Sequence, residues 1–600
     1  MGSGHILVYA FDVLMEIYKE SGYAERDAAQ LIVKNNLFGL DIDNRAYQLA
    51  YFAVIMKARS YDRRFLTRGI EPNVSSILET NEIFKFTIDG ITNDKIQNKV
   101  GEYLVEIYKD AKELGSLISV EKNDYEQFIE YLDCCITTGQ MSIDSDIWVR
   151  EMKPYMKKIA IQASIMSKKF SVVCTNPPYL NKFEGQLKKF VVEKYKPYSG
   201  DLFSVFMYRS FDYCKPYGYT AFMTPFVWMF IKTYENLREY IISQKSITTL
   251  VQMEYSAFEE ATVPICSFVL QNGNEFELGY YVKLTNFKGG MEIQNKKIIE
   301  VINGPDETYF FETKKDHFKK IQGMPIAYWA SERVFQIFDE FETLGEHANP
   351  KVGMFTTDNE KYLRKWWEPN FKTIGLGFNT KSEAFNSSFH YFPYNKGGSF
   401  RKWYGNQEYV VKYSNAGAEL KDLVLTKYPY LKGNYDFVLK TDNPYFEKGM
   451  SWSDVTSGSF SCRYTPNGFM FDVKGTSLFV DEEKLLYYLA YLNSKVVDFF
   501  LKMLNPTISF QIGNIRSLPF VILNENMPEI DSLGKDSVKI LKDDWDSFET
   551  SWEFKRHPFL ASPSLSIKEA FDKWETECNN RFTMQKINEE KINRIFIDVY

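Results

Sequence analysis

Phe170-Ser171-Val172-Val173-Cys174-Thr175 is a short apolar run that stops abruptly at Asn176-Pro177-Pro178-Tyr179. Its length and its paired valines read as a buried strand. Two successive prolines lack N–H donors and have fixed φ, so the ladder must end in a rigid turn. The flanking sequence supplies the elements such a strand needs. His5 to Ser21 is apolar at helical spacing (Ile6, Leu7, Ala10, Val13, Leu14, Ile17), with Gly22 as a stop. Asn36 to Asp43 reads as a short strand ending in acids, and Ala46 to Met56 as the next helix. Further on come a helix (Asp201 to Cys214), a strand (Gly218 to Pro225), a helix (Asn236 to Ser243) and strands at Ile247 to Met253 and Val263 to Gln271. This alternation is the rhythm of an α/β fold built on a parallel sheet.

The rest of the chain has other textures. Residues 90–165 are charged and amphipathic and read as a helical insertion. After about residue 290 the sequence becomes mixed β and loop, rich in Gly, Asn, Trp and Tyr. Leu485 to Leu504 reads as one strong helix, and 530–600 as mostly helical. A chain of 600 residues is too long for one core and implies two to four domains.

Net charge is −7, which argues against a protein that merely coats nucleic acid. Residues 351–450 nevertheless hold 15 Lys and Arg against 10 Asp and Glu. That local excess fits localised DNA contact, and a solvated surface as readily. The seven cysteines form no CxxC pair, no secretory signal opens the chain, and no apolar run approaches the ~20 residues of a membrane helix. The expectation is a reduced, cytoplasmic protein with no metal site and no membrane contact. The five histidines are dispersed, and neither a GxxxxGK[ST] loop nor a GxSxG elbow occurs. Asp454, Asp472 and Lys474 only loosely echo a nuclease pattern.

The chemistry points to Asn176, Pro177, Pro178 and Tyr179. An exocyclic adenine amine is a poor nucleophile because its lone pair is delocalised into the ring. An amide oxygen and a backbone carbonyl can accept its hydrogens and favour a more tetrahedral nitrogen. The prolines fix a carbonyl toward the pocket, and the Tyr ring offers a face to a flipped base. Gly2-Ser3-Gly4-His5 before a helix fits a nucleotide-type turn, in which backbone approaches a ligand. A tag remnant is the bland alternative. Asp41 is placed to accept from a ribose diol, with Asp43 beside it either joining the cofactor site or capping the next helix.

The set GSGH, GLDID, NPPY, DLFSVF and GYTAFMTP resembles the gamma-order N6-adenine methyltransferases. Their first motif begins D-P-A-C-G-S-G-H, whereas here Met1 stands in place of the Cys. Strings in the second half resemble the PglX family of BREX phage-defence systems. They include Gly353-Met354-Phe355-Thr356-Thr357-Asp358-Asn359, Pro393-Tyr394-Asn395-Lys396-Gly397-Gly398 and Phe400-Arg401-Lys402-Trp403-Tyr404-Gly405-Asn406. The resemblance implies a Rossmann-like methyltransferase sheet whose first strand is missing, and S-adenosylmethionine held by Gly2, Ser3, Gly4, Asp41 and Asp43. It implies double-stranded DNA as substrate, contacted by Arg364, Lys396, Arg401, Lys402 and Arg463, with other BREX proteins as partners. Leu270 falls where relatives carry an aromatic against the flipped base, with Phe268 two residues earlier.

The expected layout is a methyltransferase domain over 1–290 with its insertion at 90–165 and a connector over 291–350. A mixed α+β target-recognition domain over 351–525 and a helical segment over 526–600 would follow. The clipped motif leads to the expectation of an internal fragment needing a separately encoded N-terminal portion. Three functions compete: an adenine-N6 DNA methyltransferase, a non-catalytic DNA-recognition or scaffold chain of the same system, and a protein methyltransferase using the same pocket on an amide.

Overall fold

The computed structural model describes residues 1–82, 94–134, 148–255, 263–305, 308–456, 458–505, 508–560 and 566–600. The chain divides into two compact units, Met1–Asp316 and His317–Tyr600. The first unit therefore extends past residue 290, and residues placed in a connector by sequence instead complete its sheet.

The first unit opens with α1 (His5–Glu20) and α2 (Glu25–Leu31), then β1 (Phe38–Asp41), α3 (Asn44–Tyr61) and β2 (Asn73–Ser76). β1 and β2 pair in parallel as a sheet of their own. Leu7, Phe11 and Met15 of α1 pack against Val54 and Ala58 of α3 in one apolar cluster. Gly4, just before α1, has φ +95°, and a Cβ there would meet Ala50 Cα at 2.8 Å. Glycine lets the two helices approach where any side chain would separate them.

Helices α4 (Lys95–Ile107), α5 (Tyr125–Cys134) and α6 (Lys153–Ser167) share a core that includes Leu104, Tyr108, Phe128, Ile159 and Ala163. Then follow β3 (Phe170–Thr175), α7 (Gly185–Lys194), α8 (Leu202–Tyr213), β4 (Cys214–Pro225), α9 (Glu235–Gln244), β5 (Ser246–Gln252), β6 (Ile265–Gln271), β7 (Leu278–Lys283), α10 (Gly290–Asn303) and β8 (Phe310–Lys314). The strands form a second sheet of six in the order β3-β4-β6-β5-β7-β8. It is mixed. β3 is parallel to β4 and β5 to β7, but β6 runs against both its neighbours, and β8 against β7. The parallel sheet expected from the helix–strand rhythm is corrected there, because β6 follows β5 as its direct antiparallel partner.

The second unit contains α11 (Glu332–Glu340) and two small sheets. One has the order β14-β10-β11-β9, from β9 (Leu363–Lys365), β10 (Tyr391–Asn395), β11 (Tyr409–Lys412) and β14 (Met470–Phe471). The other has the order β13-β12-β15, from β12 (Gly449–Trp452), β13 (Cys462–Thr465) and β15 (Ser477–Leu478). Its last helices are α12 (Leu485–Leu492), α13 (Lys495–Leu504), α14 (Met527–Trp545) and α15 (Ile567–Val599). The single helix expected over 485–504 is broken in two. Asn493 turns its side chain to the backbone N–H and C=O of Cys462, and Ser494 caps α13 by accepting from Val497 N. Side chains that bond locally to backbone stop helices in this way. Among the described residues no helix is long and apolar enough to cross a membrane.

Candidate active site

A cavity of about 550 Å³ lies between β1 and β3. Gly2, Asp41, Ile42, Asn176 and Pro178 line one end of it, where both strands finish. The first glycine turn and the Asn-Pro-Pro-Tyr turn, 174 residues apart in sequence, thus face one space.

Asp41 holds the glycine turn to β1. Its Oδ2 accepts from Gly2 N at 2.8 Å and lies 3.4 Å from the Met1 ammonium, and its Oδ1 accepts from Asp43 N at 3.0 Å. A carboxylate has about four acceptor positions, so these contacts leave it little spare capacity. Ser3 and Gly4 do not line the main cavity. They border an adjoining pocket with Val8, Asp12 and Ala53, and Ser3 Oγ lies 3.0 Å from His5 Nδ1. Asp43 caps α3, accepting from Arg45 N at 2.8 Å, and the Arg45 guanidinium holds its carboxyl below the usual range. Asp43 is thus a helix cap and does not line the cavity.

At the other turn, Pro177 is buried and anchors the loop, while Asn176, Pro178 and Tyr179 are exposed. The Tyr179 hydroxyl donates to Asn176 Oδ1 at 3.2 Å, and Met223 O lies 3.3 Å away. Its ring meets Phe203 edge to face at 6.3 Å. Burial of the hydroxyl pushes the phenol up to about 12, so it stays a donor. Sequence reading missed Asp201, which accepts from Leu180 N at 2.9 Å and caps α8 by accepting from Phe203 N. Leu202 N returns a bond to Leu180 O at 2.9 Å. Asp201 therefore locks the end of the Asn-Pro-Pro-Tyr turn to a helix N-terminus. The signal was an Asp before an apolar helical run, visible as a cap but not as a clamp. Asp201→Ala removes both contacts. It is expected to lower stability by about 1–2 kcal/mol and to loosen the turn, read as lower thermal stability and faster amide exchange at Leu180.

Phe268 and Leu270 are both buried in β6. Phe268 packs on Phe222 and Trp228 at 5.5 and 5.0 Å, so neither residue can reach a base.

A model of the Eco57I restriction-modification methylase family matches residues 35–258. The adenine-specific methyltransferase PglX of Lacticaseibacillus casei (strain Zhang) is 35% identical over 620 residues, covering 100% of this chain and 50% of that protein. The adenine-specific methyltransferase BrxX of Escherichia coli O9:H4 (strain HS) is 33% identical, covering 93% of this chain and 46% of that protein. Over nearly its whole length the chain is thus similar to the PglX and BrxX methyltransferases. It spans about half the length of the curated relatives it matches, a share that does not by itself make it the internal fragment inferred from its clipped motif. Among solved structures, a nuclease-deletion mutant of the Type ISP restriction-modification enzyme LlaGI, in complex with a DNA substrate mimic, matches with a TM-score of 0.50 at 10% identity. The match covers 90% of this chain and 44% of that one, and it shows the fold alone.

The cations expected at DNA are engaged within the second unit. Arg463 is 2% exposed and reaches Ser453 Oγ and Arg401 O. Burial pulls its guanidinium down to about 10. Arg401 pairs with Asp544 at 2.5 Å and Lys402 with Glu589 at 3.0 Å. Lys396 pairs with buried Asp472 at 2.7 Å, and Arg364 donates to the carbonyls of Glu360 and Leu363. These side chains hold structure together. Arg463 is out of reach of any ligand, and the other four would have to give up existing partners to meet a phosphate. Trp403 is likewise a packing residue, buried with its Nε1 donating to Glu589 at 2.8 Å.

Proposed function

We propose that the chain carries the adenine-N6 DNA methyltransferase activity of a BREX phage-defence system, with S-adenosylmethionine as donor. The observation that carries this reading is the shared cavity. It brings the Asn176 side chain and the proline-fixed backbone at Pro178 to the same space as the glycine turn and the acid at the end of β1, while Tyr179, which does not line that cavity, is tied to it through its hydroxyl's bond to Asn176 Oδ1. Asn176 Oδ1 accepts a hydrogen of the target amine, the turn holds the nitrogen in line, and the Tyr179 ring provides a face for the extruded base. S-adenosylmethionine, when bound, supplies an electrophilic methyl group on a sulfonium that leaves without acid catalysis. Gly2 and Asp41 would hold it, since the helix N-terminus after the turn favours a carboxylate and Asp41 can accept from a diol. In this reading β2-β1, a gap, then β3-β4-β6-β5 form the Rossmann-like sheet without its first strand. The second unit supplies target recognition.

The state of Asp41 predicts the donor affinity. Its oxygens already serve Gly2, Asp43 and the Met1 ammonium. Calorimetric titration of the chain alone should therefore give weak, saturable binding of S-adenosylmethionine, with Kd on the order of 100 µM, lost in Asp41→Ala. A low-micromolar Kd would contradict this account of Asp41, and an absence of saturable binding would contradict the donor site.

DNA contact falls to a different set of cations. Lys182, Lys188, Lys189, Lys194 and Lys196 follow the Asn-Pro-Pro-Tyr turn, and all are exposed. Replacing Lys188, Lys189 and Lys194 with alanine should weaken DNA binding across sequences and lower the salt slope by about one per lost phosphate contact. Lys402→Ala should leave that slope unchanged. Fluorescence anisotropy at several salt concentrations reads both.

A further inference from the structure

The helix after the Asn-Pro-Pro-Tyr turn does not cap itself. α7 begins at Gly185, and Glu184 before it makes no side-chain cap bond. The first N–H groups of a helix have no partner within it. Here the cap comes from far away in the chain. Glu113 Oε1 accepts from Leu187 N at 2.9 Å, across 74 residues. A carboxylate at a helix N-terminus adds charge complementarity to the hydrogen bond. Gly185 leaves room for it. Its φ is +55°, and a Cβ there would lie 2.5 Å from Glu113 Oε1.

Glu113 is itself held in place. It opens the segment 113–118 of the helical insertion, of which Glu113, Gly115 and Ser116 line the cavity. A Cβ at Gly115 would meet Ile42 at 3.1 Å, so the segment abuts the residue after β1. Its carbonyls are tied down. Ser116 O accepts from the Tyr213 hydroxyl at 2.7 Å, Leu117 O from the Tyr195 hydroxyl at 3.1 Å and Ile118 O from Arg209 Nη2 at 2.7 Å. Arg209 is buried. The capping carboxylate therefore stands on a fixed base. At the near end of the linker to α7, Asp201 pins Leu180. Lys188, Lys189 and Lys194 of α7 are exposed, while Leu187 and Val191 pack inward with Leu117.

We propose that Glu113 is a positioning residue for DNA. By capping α7 from the insertion, it fixes the lysine row of that helix relative to the Asn-Pro-Pro-Tyr turn. The inference rests on the reading of α7 as a DNA-facing helix and does not require methyl transfer. Its sign separates it from plain electrostatics. Removing an acid close to a phosphate path strengthens DNA binding through charge alone. An acid that works by positioning the lysines gives the opposite result, because its loss lets the cations drift from the phosphates.

The test compares Glu113→Ala and Glu113→Gln in the full chain, with a mixed-sequence DNA duplex as probe. Alanine removes the charge and the acceptor, whereas glutamine removes only the charge. In Glu113→Ala, amide exchange at Leu187 should accelerate about fivefold. The Kd for the duplex, read by fluorescence anisotropy, should rise roughly threefold to tenfold. Glu113→Gln keeps the cap and should bind the duplex at least as tightly as the unmodified chain. Unchanged or tighter binding by Glu113→Ala would overturn the proposal, as would equal weakening in both variants. In the first case the triple lysine variant shows where it failed. Weakened binding there means that α7 meets DNA without needing the cap, and unchanged binding means that α7 does not face DNA.

Discussion

Asn176→Ala lowers the single-turnover rate of methyl transfer on the order of 10²–10³-fold, with DNA binding and donor binding nearly unchanged. The magnitude follows from removing one positioned polar group that acts on developing charge at the reacting atom. The side chain is exposed and accepts a hydrogen bond from the Tyr179 hydroxyl, which also has Met223 O within reach. The fold should therefore lose less than about 1 kcal/mol. Asn176→Asp keeps an acceptor at the same place and should retain more activity than the alanine variant. Rapid-quench measurement with the protein in excess over DNA separates the transfer step from binding. A mutant rate equal to the unmodified chain would remove Asn176 from the chemistry.

Lys396→Ala is expected to cost the second unit about 3 kcal/mol, the low end for removing one partner of a buried ion pair. Asp472 is 1% exposed and accepts from Lys396 Nζ at 2.7 Å, Tyr394 Oη at 2.9 Å and Lys474 N at 2.9 Å. Without the lysine, a buried carboxylate keeps two neutral donors and loses its counter-charge. For a unit of this size the loss corresponds to a fall in Tm of roughly 6–12 °C, readable by calorimetry. Lys396→Ala combined with Asp472→Asn removes the stranded charge and should recover part of the loss. A fall in DNA affinity with Tm unchanged would return Lys396 to the nucleic-acid interface.

Local patterns were legible where local physics decides. The apolar run ending on two prolines gave β3 with its observed bounds but not its burial, since Val172 and Cys174 are exposed rather than buried, and the periodicity of His5 to Ser21 gave α1. The turn at Asn176 and the acid at Asp41 were both located from sequence and do line one cavity. Pairing was not legible, because registers and strand directions depend on partners far away in the chain. β7 and β8 extend a sheet that sequence reading ended at β6. The charge excess of 351–450 misled for the same reason. Arg401 and Lys402 are neutralised by Asp544 and Glu589, which lie 143 and 187 residues further along. A window of sequence does not contain them. Asp43 shows a finer limit. An acid after a strand and before a helix can serve a ligand or the helix, and the bond from Arg45 N that makes Asp43 a cap is not visible in the sequence.

The most direct test of methyl transfer at this pocket is nucleoside mass spectrometry of DNA incubated with the chain and S-adenosylmethionine carrying a trideuterated methyl group. The account predicts trideuterated N6-methyladenine, formed slowly by the unmodified chain and absent with Asn176→Ala. Label found only in cytosine or in protein, or equal adenine labelling by the alanine variant, would contradict it.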